Sequence, residues 1–306
     1  MAVPSVSTNF GDLLDPRFQR IFHEQYRQLP NMLPKFYNFE PHNGRDNMTW
    51  SGVGAFGDWE QFTGSVNYDD VTQAYDTTLT WLEFTSGFQV ERKLFDDDQF
   101  NIMEQRPRGL ATAYQRTRQK HGARFFNNAF SNDLFFAVNT EGVAPCSNSH
   151  TTNAAGVDTT TGFDNLTTAA LSATAVNAAV IQMRKFRDDR GNRMTITPNT
   201  MLVPIDLREE AFEIVMSQGK VDTANNNKNI HFEAFDTVEW EYLTDTNNWF
   251  VMDTVNMNQM LYWVDRVESE FAMAEDIDTL IAKWRGYARY GAAWIDWRFI
   301  NGASVS

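Results

Sequence analysis

Residues 106–130 read RPRGLATAYQRTRQKHGARFFNNAF, and this stretch sets the frame for everything around it. Leu110, Tyr114, His121 and Phe125 recur at helical spacing along one stripe, and Phe126, Ala129 and Phe130 widen that stripe toward its end. The pattern predicts a helix over 96–131. Asp96, Asp97 and Asp98 would cap it and complement its dipole. Pro107 either kinks this helix or starts a second one at its first turn. The part beyond Pro107 would be about 37 Å long at 1.5 Å per residue. Every charge from Arg106 to Arg124 is positive: Arg106, Arg108, Arg116, Arg118, Lys120 and Arg124. The expectation is a long, basic rod.

Upstream lies its electrostatic opposite. In residues 46–90 glycines and aromatics alternate loosely, through Trp50, Gly52, Gly54, Phe56, Gly57, Trp59, Phe62 and Gly64. No Lys or Arg falls between Arg45 and Arg92, whereas Asp46, Asp58, Glu60, Asp69, Asp70, Asp76, Glu83 and Glu91 do. Leu82, Phe84, Phe88 and Val90 share one face of a strand at period two. A two-stranded excursion is not stable alone, and arms of about 20 residues would reach some 65 Å. Such a ribbon is built to lie on something else. Before it, residues 1–45 carry Phe18, Ile21, Phe22 and Tyr26 on one helical face, broken at Pro30 and Pro34. Two readings stand: a helix on the chain's own core, or an arm that clasps a neighbour.

Downstream, residues 139–169 are rich in Thr, Asn, Ser and Gly and read as a long exposed loop. A helix is expected at about 172–188, then a short buried strand at 200–204. Asp206 and Glu209 form a capping-box pattern that opens a helix to Met216. Strands at 238–243 and 249–253 would be joined by a polar turn, and further strands fall around 261–264, 269–273 and 281–300. No internal repeat is present.

Composition limits the function. The 306 residues hold 26 Lys+Arg against 40 Asp+Glu, a formal charge of −14, which disfavours general binding to nucleic acid. Aromatics at 14% and hydrophobic residues at 42% exclude a disordered coil. Mean hydropathy is nonetheless −0.46, so the aromatics are dispersed among polar residues, as at sticky surfaces. No run of 18 apolar residues is present, and the N-terminus lacks the pattern of a signal peptide, so a soluble protein made in a cytoplasm is expected, with no membrane partner.

Little chemistry is visible. His23, His42, His121, His150 and His231 are scattered without metal-ligand spacing, and no P-loop, GxGxxG or GxSxG is present. The glycines at 52, 54 and 57 lack the strand–turn–helix context of a phosphate cradle. Cys146, the one cysteine, precedes His150 by four residues; a buried structural thiol is the simpler reading than a nucleophile and base. The expectation is no catalytic residue, no cofactor and no metal, and a function carried by surfaces.

The order of segments resembles that of the major capsid protein of tailed bacteriophages. Phe95-Asp96-Asp97-Asp98 leading to Ala123–Phe130 looks like that family's spine helix, and Thr200–Leu207 with Ala211 is similar to its buried strand entering a helix. Asn247–Asp253 resembles its Asn-x-Trp-apolar strand, and Trp284–Gly291 its Arg-rich strand. The resemblance covers most of residues 90–300. It implies an α+β fold divided into an N-terminal arm (1–45), an extended loop (46–90) and a peripheral domain with the spine helix (91–169). An axial domain (170–255) and returning strands (256–306) would complete it. It further implies assembly as pentamers and hexamers into an icosahedral head around a double-stranded DNA genome, with only non-specific proximity to that DNA. A separate scaffolding protein, a portal and a decoration protein are the expected partners, and the virion capsid is the expected location.

In this reading the extended loop contacts a neighbour through Trp50, Phe56, Asp58, Trp59, Glu60, Asp69, Asp70 and Asp76. The spine helix offers Arg106, Arg108, Arg116, Arg118, Lys120 and Arg124, and the arm offers Phe18, Ile21, Phe22 and Tyr26. Some relatives crosslink a loop lysine to the neighbour; here no lysine lies between Lys35 and Lys93, so non-covalent locking is expected. Residues 220–229 are the candidate for the loop lining a capsomer's centre. Two alternatives remain open: an acidic, aromatic-rich carbohydrate-active enzyme using two carboxylates, and another structural virion protein such as a decoration or tail component.

Overall fold

A computed structural model describes residues 11–66, 68, 70–91, 93, 102–219, 227–276 and 281–306. The long basic stretch is helix α3 (Gln105–Asn127), entered through a 3-10 turn at Ile102–Glu104, and Pro107 sits in its first turn, where no intrahelical donor is lost. The expected cap at Asp96–Asp98 lies outside the described residues. At 23 residues the helix is about 35 Å long.

Against α3 lies a four-stranded sheet in the order β1-β10-β11-β4. Its strands are β1 (Asn38–Phe39), β4 (Leu82–Glu91), β10 (Leu261–Asp276) and β11 (Ile281–Trp294). The last two form an antiparallel pair from Leu261↔Trp294 to Asp276↔Ile281. Two of the separate strands expected near 261–273 are thus one continuous strand of 16 residues. β4 pairs with β11 along its whole length, so the excursion ends near residue 80 rather than at 90. The reason is legible in Phe84 and Phe88, which stack on Tyr290 and Trp284 at 4.6 and 5.1 Å.

A second sheet runs β6-β12-β9-β7-β8, formed by Leu166–Thr167, Ile300–Ala303, Trp249–Met252, Thr200–Val203 and Asp236–Glu239. The two strands expected to form a hairpin through 245–248 do not pair with each other. β8 lies parallel to β7 and β9 antiparallel to it, on β7's two sides. Both faces of this sheet are covered, which is why β7, β9 and β12 are buried at every position. Met201, Val203, Trp249 and Val251 face one core with α4 (Ala173–Met183) and α5 (Arg208–Met216). Leu202, Phe250, Met252 and Ile300 face the other core, with Ala123 and Phe126 of α3.

Two caps show how local sequence sets the helix starts. Ser172 accepts from the Ala175 amide at the head of α4, and Asp253 accepts from the Val255 and Asn256 amides to start α6 (Thr254–Met260), a helix the sequence reading did not foresee. The capping box expected at Asp206 does not form. Residues Ile205–Leu207 make a 3-10 turn instead, and Leu207 occupies the cap of α5 without a side-chain bond.

Two further expectations are corrected. Residues 139–169 are not a wholly exposed loop, because Cys146, His150, Phe163 and Asn165 are buried and Asn165 donates to Pro145 and Ile300 carbonyls at 2.8 and 3.2 Å. The N-terminal face is not a free arm. Helix α1 (Gly11–Gln28) buries Phe18, Ile21 and Phe22 in a core shared with Ala111, Val90, Phe271 and Trp284, and Tyr26 packs at its margin on Tyr114. Phe22 stacks on Phe271 at 5.2 Å and Phe18 tilts onto Trp284 at 5.5 Å. A short α2 (Leu33–Phe36) follows and places Phe36 flat on Trp240.

Candidate assembly surface

The excursion is built on β2 (Asn47–Val53) and β3 (Gln73–Thr80), an antiparallel pair with an irregularity between Ser51 and Val53. β5 (Ala137–Asn139) adds a third strand at its root. Glycine is needed where the two arms close up. A Cβ on Gly54 would lie 2.7 Å from the Thr72 carbonyl oxygen, and one on Gly52 2.8 Å from Ala74 Cβ.

The root is held firmly. Trp50 is half-buried, stacks on Tyr262 at 5.4 Å and donates to Glu40, so it anchors the ribbon on the chain's own body. Thr77 donates to the Trp294 carbonyl at 3.0 Å, the Asp76 amide donates to Thr140 at 2.8 Å, and the Tyr75 and Thr151 hydroxyls meet at 2.7 Å.

Beyond the root the chain buries almost nothing. Phe56, Phe62, Val66 and Tyr68 are exposed, and Trp59 is fully exposed at 102%. Val66 and Tyr68 were not singled out from sequence, although they lie in the same base-free stretch. Asp58, Glu60 and Asp70 are exposed, and the Asp70 carbonyl accepts from Arg190. Asp69 lies outside the described residues. Asp76 is half-buried and takes hydrogen bonds from Gln73 at 3.2 Å, which removes it from the free acids.

The rod divides in the same way. Arg106, Arg108, Arg116 and Lys120 are exposed. Arg118 is not: it is 2% exposed, pairs with Asp265 at 2.9 Å and lies over the rings of Trp263 and Tyr290 at 5.2 and 5.4 Å. Arg124 bonds Asp133 at 2.6 Å and covers Phe135 at 4.2 Å. Burial alone would raise the Asp133 pKa, but the hydrogen bonds from Arg124 and Asn128 outweigh it and hold the carboxyl below its usual range. Two of the six expected contact cations are therefore spent inside the chain. So are the apolar residues of the N-terminal helix, Phe18, Ile21 and Phe22.

The titratable groups are placed as structural members. His150 and Glu141 meet at 3.1 Å with the imidazole stacked on Trp297, His121 meets the Tyr290 hydroxyl at 2.9 Å, and His231 meets the Ala173 carbonyl at 3.1 Å. Burial pushes the Cys146 thiol well above its ordinary pKa, so it is a thiol and not a thiolate at neutral pH. Among the described residues no three His, Cys, Asp or Glu side chains are grouped to hold a metal, and no helix is long and apolar enough to cross a membrane.

This architecture is that of phage capsid subunits. The chain is similar in fold to a subunit of the mature capsid of bacteriophage PhiM1, with a TM-score of 0.58 at 10% identity over 91% of this chain and 88% of that one. It is similar over 100% of both chains to a subunit of the capsid of an empty GTA particle (TM-score 0.56, 13% identity). A subunit of the procapsid of bacteriophage JBD30 matches at TM-score 0.56 and 13% identity, over 99% of this chain and 76% of that one. No curated protein matches in sequence. The profile of the phage capsid protein family matches residues 75–300, about three quarters of the chain, and the chain belongs to that family. It is a structural capsid protein, which sets aside the carbohydrate-active reading.

Proposed function

We propose that this chain assembles with copies of itself, as pentamers and hexamers, into the icosahedral head of a tailed phage, and that the tip of its excursion is the part that reaches a neighbour. The observation that carries this reading is the row of exposed apolar side chains from Phe56 to Tyr68, held on a ribbon whose root is bonded to the body. Burying a tryptophan of ~200 Å² is worth about 5 kcal/mol before the cost of association. Trp59 alone therefore outweighs several exposed ion pairs at about 0–1 kcal/mol each.

The exposed acids Asp58, Glu60 and Asp70, with Asp69 beside the last in sequence, then face Arg106, Arg108, Arg116 and Lys120 of the next copy, where they set register more than strength. With no lysine in the excursion, the lock is non-covalent. The chain is made in the host cytoplasm. A scaffolding protein, a portal and a decoration protein are its further partners, and a genome inside meets a wall of net negative charge.

The test is sedimentation velocity with negative-stain imaging. Wild-type chain expressed with its neighbouring phage genes gives hollow shells. Trp59→Ser, which touches no core, leaves the subunit folded but reduces shell yield at least tenfold. Unchanged shells from Trp59→Ser would remove the tip from the interface.

A further inference from the structure

The chain holds two Asn-Gly pairs, Asn43-Gly44 and Asn301-Gly302, alike in sequence and opposite in setting. Asn301 and Gly302 lie buried in β12, where the Gly302 amide donates to the Asn165 carbonyl at 3.0 Å. Asn43 and Gly44 are exposed in the turn between β1 and β2, where the chain leaves the body for the excursion. Gly44 has a φ of +77°, and a Cβ on it would meet no atom within 4 Å, so its backbone nitrogen is uncrowded.

Three hydrogen bonds in this turn fall on the atoms of a single reaction. The Gly44 amide donates to His42 Nδ1 at 3.1 Å, so the imidazole carries its proton on Nε2 and aims a lone pair at the amide proton. The Arg45 amide donates to Asn43 Oδ1 at 3.0 Å and polarises that side-chain carbonyl. Asn43 Nδ2 donates to the Asn47 carbonyl at 3.2 Å. The Gly44 and Arg45 carbonyls accept from the Arg266 guanidinium, and the Arg45 carbonyl also accepts from the Trp81 indole at 3.0 Å. The turn is therefore pinned to the body while His42, Asn43 and Gly44 stay open to water.

We propose that Asn43 is a self-modifying site, at which the turn 42–45 converts its own asparagine to a succinimide and then to aspartate and isoaspartate. His42 takes the Gly44 amide proton, and the amide nitrogen attacks Cγ of Asn43 to close the ring. Negative charge gathers on Oδ1 against the Arg45 N–H. The tetrahedral carbon then collapses, its bond to Nδ2 breaks, and His42 gives its proton to the leaving nitrogen, which departs as ammonia. Water opens the ring at either carbonyl, leaving aspartate or, with an added methylene in the main chain, isoaspartate. The consequence falls at the foot of the excursion. A carboxylate cannot donate to the Asn47 carbonyl, so the bond from the turn to the start of β2 is lost as the chain ages. This holds whether or not the excursion meets a neighbour.

Peptide mapping tests it. The full chain is held at neutral pH and physiological temperature in heavy-oxygen water, folded or unfolded in guanidinium chloride, and digested at intervals under mildly acidic conditions. The expected result is heavy oxygen at position 43 with isoaspartate seen on electron-transfer fragmentation, while Asn301 of the folded chain is unchanged. The folded chain should convert at least about tenfold faster than the unfolded one, and His42→Ala should remove that advantage without moving the melting temperature. Asn43 that survives in the folded chain while the unfolded chain converts overturns the site. Equal rates in folded and unfolded chain, or in His42→Ala and wild type, overturn the role of His42 and leave an ordinary Asn-Gly pair. Conversion of Asn301 as fast as Asn43 in the folded chain shows that the turn contributes nothing.

Discussion

Arg118 shows what a single basic residue on the spine helix is for. Its guanidinium bonds Asp265 at 2.9 Å and the Tyr114 hydroxyl at 3.0 Å, while Asp265 also accepts from the Trp263 indole at 3.0 Å. Removing one partner of such a pair leaves the other charge uncompensated, a larger loss than the pair's net worth. Arg118→Ala should therefore cost about 3 kcal/mol or more in urea denaturation, whereas Arg116→Ala should fall within about 0.5 kcal/mol of wild type. His121 adds a pH dependence. Burial first, and the Arg124 charge second, lower its pKa from the ordinary 6.5 to about 4. The unfolded chain then binds the proton first, so stability is full above pH 6.5 and is lost as pH falls from there toward 4. His121→Gln should flatten that part of a melting-temperature profile against pH, and an unchanged slope would assign it to other groups. Arg116 and Arg118 were indistinguishable by residue type. They differ by two positions, which is about 200° around a helix, and the buried row Ala111, Gln115, Arg118 and Gly122 is too polar to stand out as apolar periodicity.

At the scale of elements, α3 is the member that the others are fitted to. Gly122 is its closest approach. A Cβ there would collide with Leu33 Cδ2 and lie 3.2 Å from the Trp240 ring, and the Gly122 carbonyl accepts from the buried Tyr37 hydroxyl at 2.7 Å. Gly122→Ala should cost about 1–3 kcal/mol through overpacking, read as a lower denaturation midpoint. An equal midpoint would mean that α2 shifts freely. Helices α1, α3 and α4 and the aromatic strand β4 were legible in sequence because each repeats a period of 3.6 or 2, and β7 because it is a short apolar run; α2 and α6 are too short to show a period. Pairing was not. β8 and β9 look like a hairpin, since 245–248 is a polar turn, but both prefer the buried sides of β7. The apolar face of α1 was equally visible, but periodicity states that a face is buried and not what buries it.

At the scale of the molecule, a chain of net charge −14 must assemble against its own repulsion. Local complementarity has to supply what the average charge opposes, and the structure narrows where it can. With Arg118 and Arg124 committed internally and Asp76 held by Gln73, the exposed groups that remain among the described residues are Asp58, Glu60 and Asp70 on the ribbon, with Asp69 next to the last in sequence, and Arg106, Arg108, Arg116 and Lys120 on the rod. A reversal must use these, because reversing Arg118 would unfold the subunit and report nothing about assembly. Asp69→Lys with Asp70→Lys should raise the protein concentration needed for shells about tenfold, equivalent to about 1.4 kcal/mol per subunit. Adding Arg116→Glu and Lys120→Glu should recover part of that loss, whereas the second pair alone should impair assembly as the first does. Recovery requires that ribbon and rod meet, since two independent defects would add. If the four changes together are as poor as the sum of the pairs, the ribbon does not lie on the rod. The apolar tip would then have to be seated elsewhere on the neighbour, with Trp59 still its anchor.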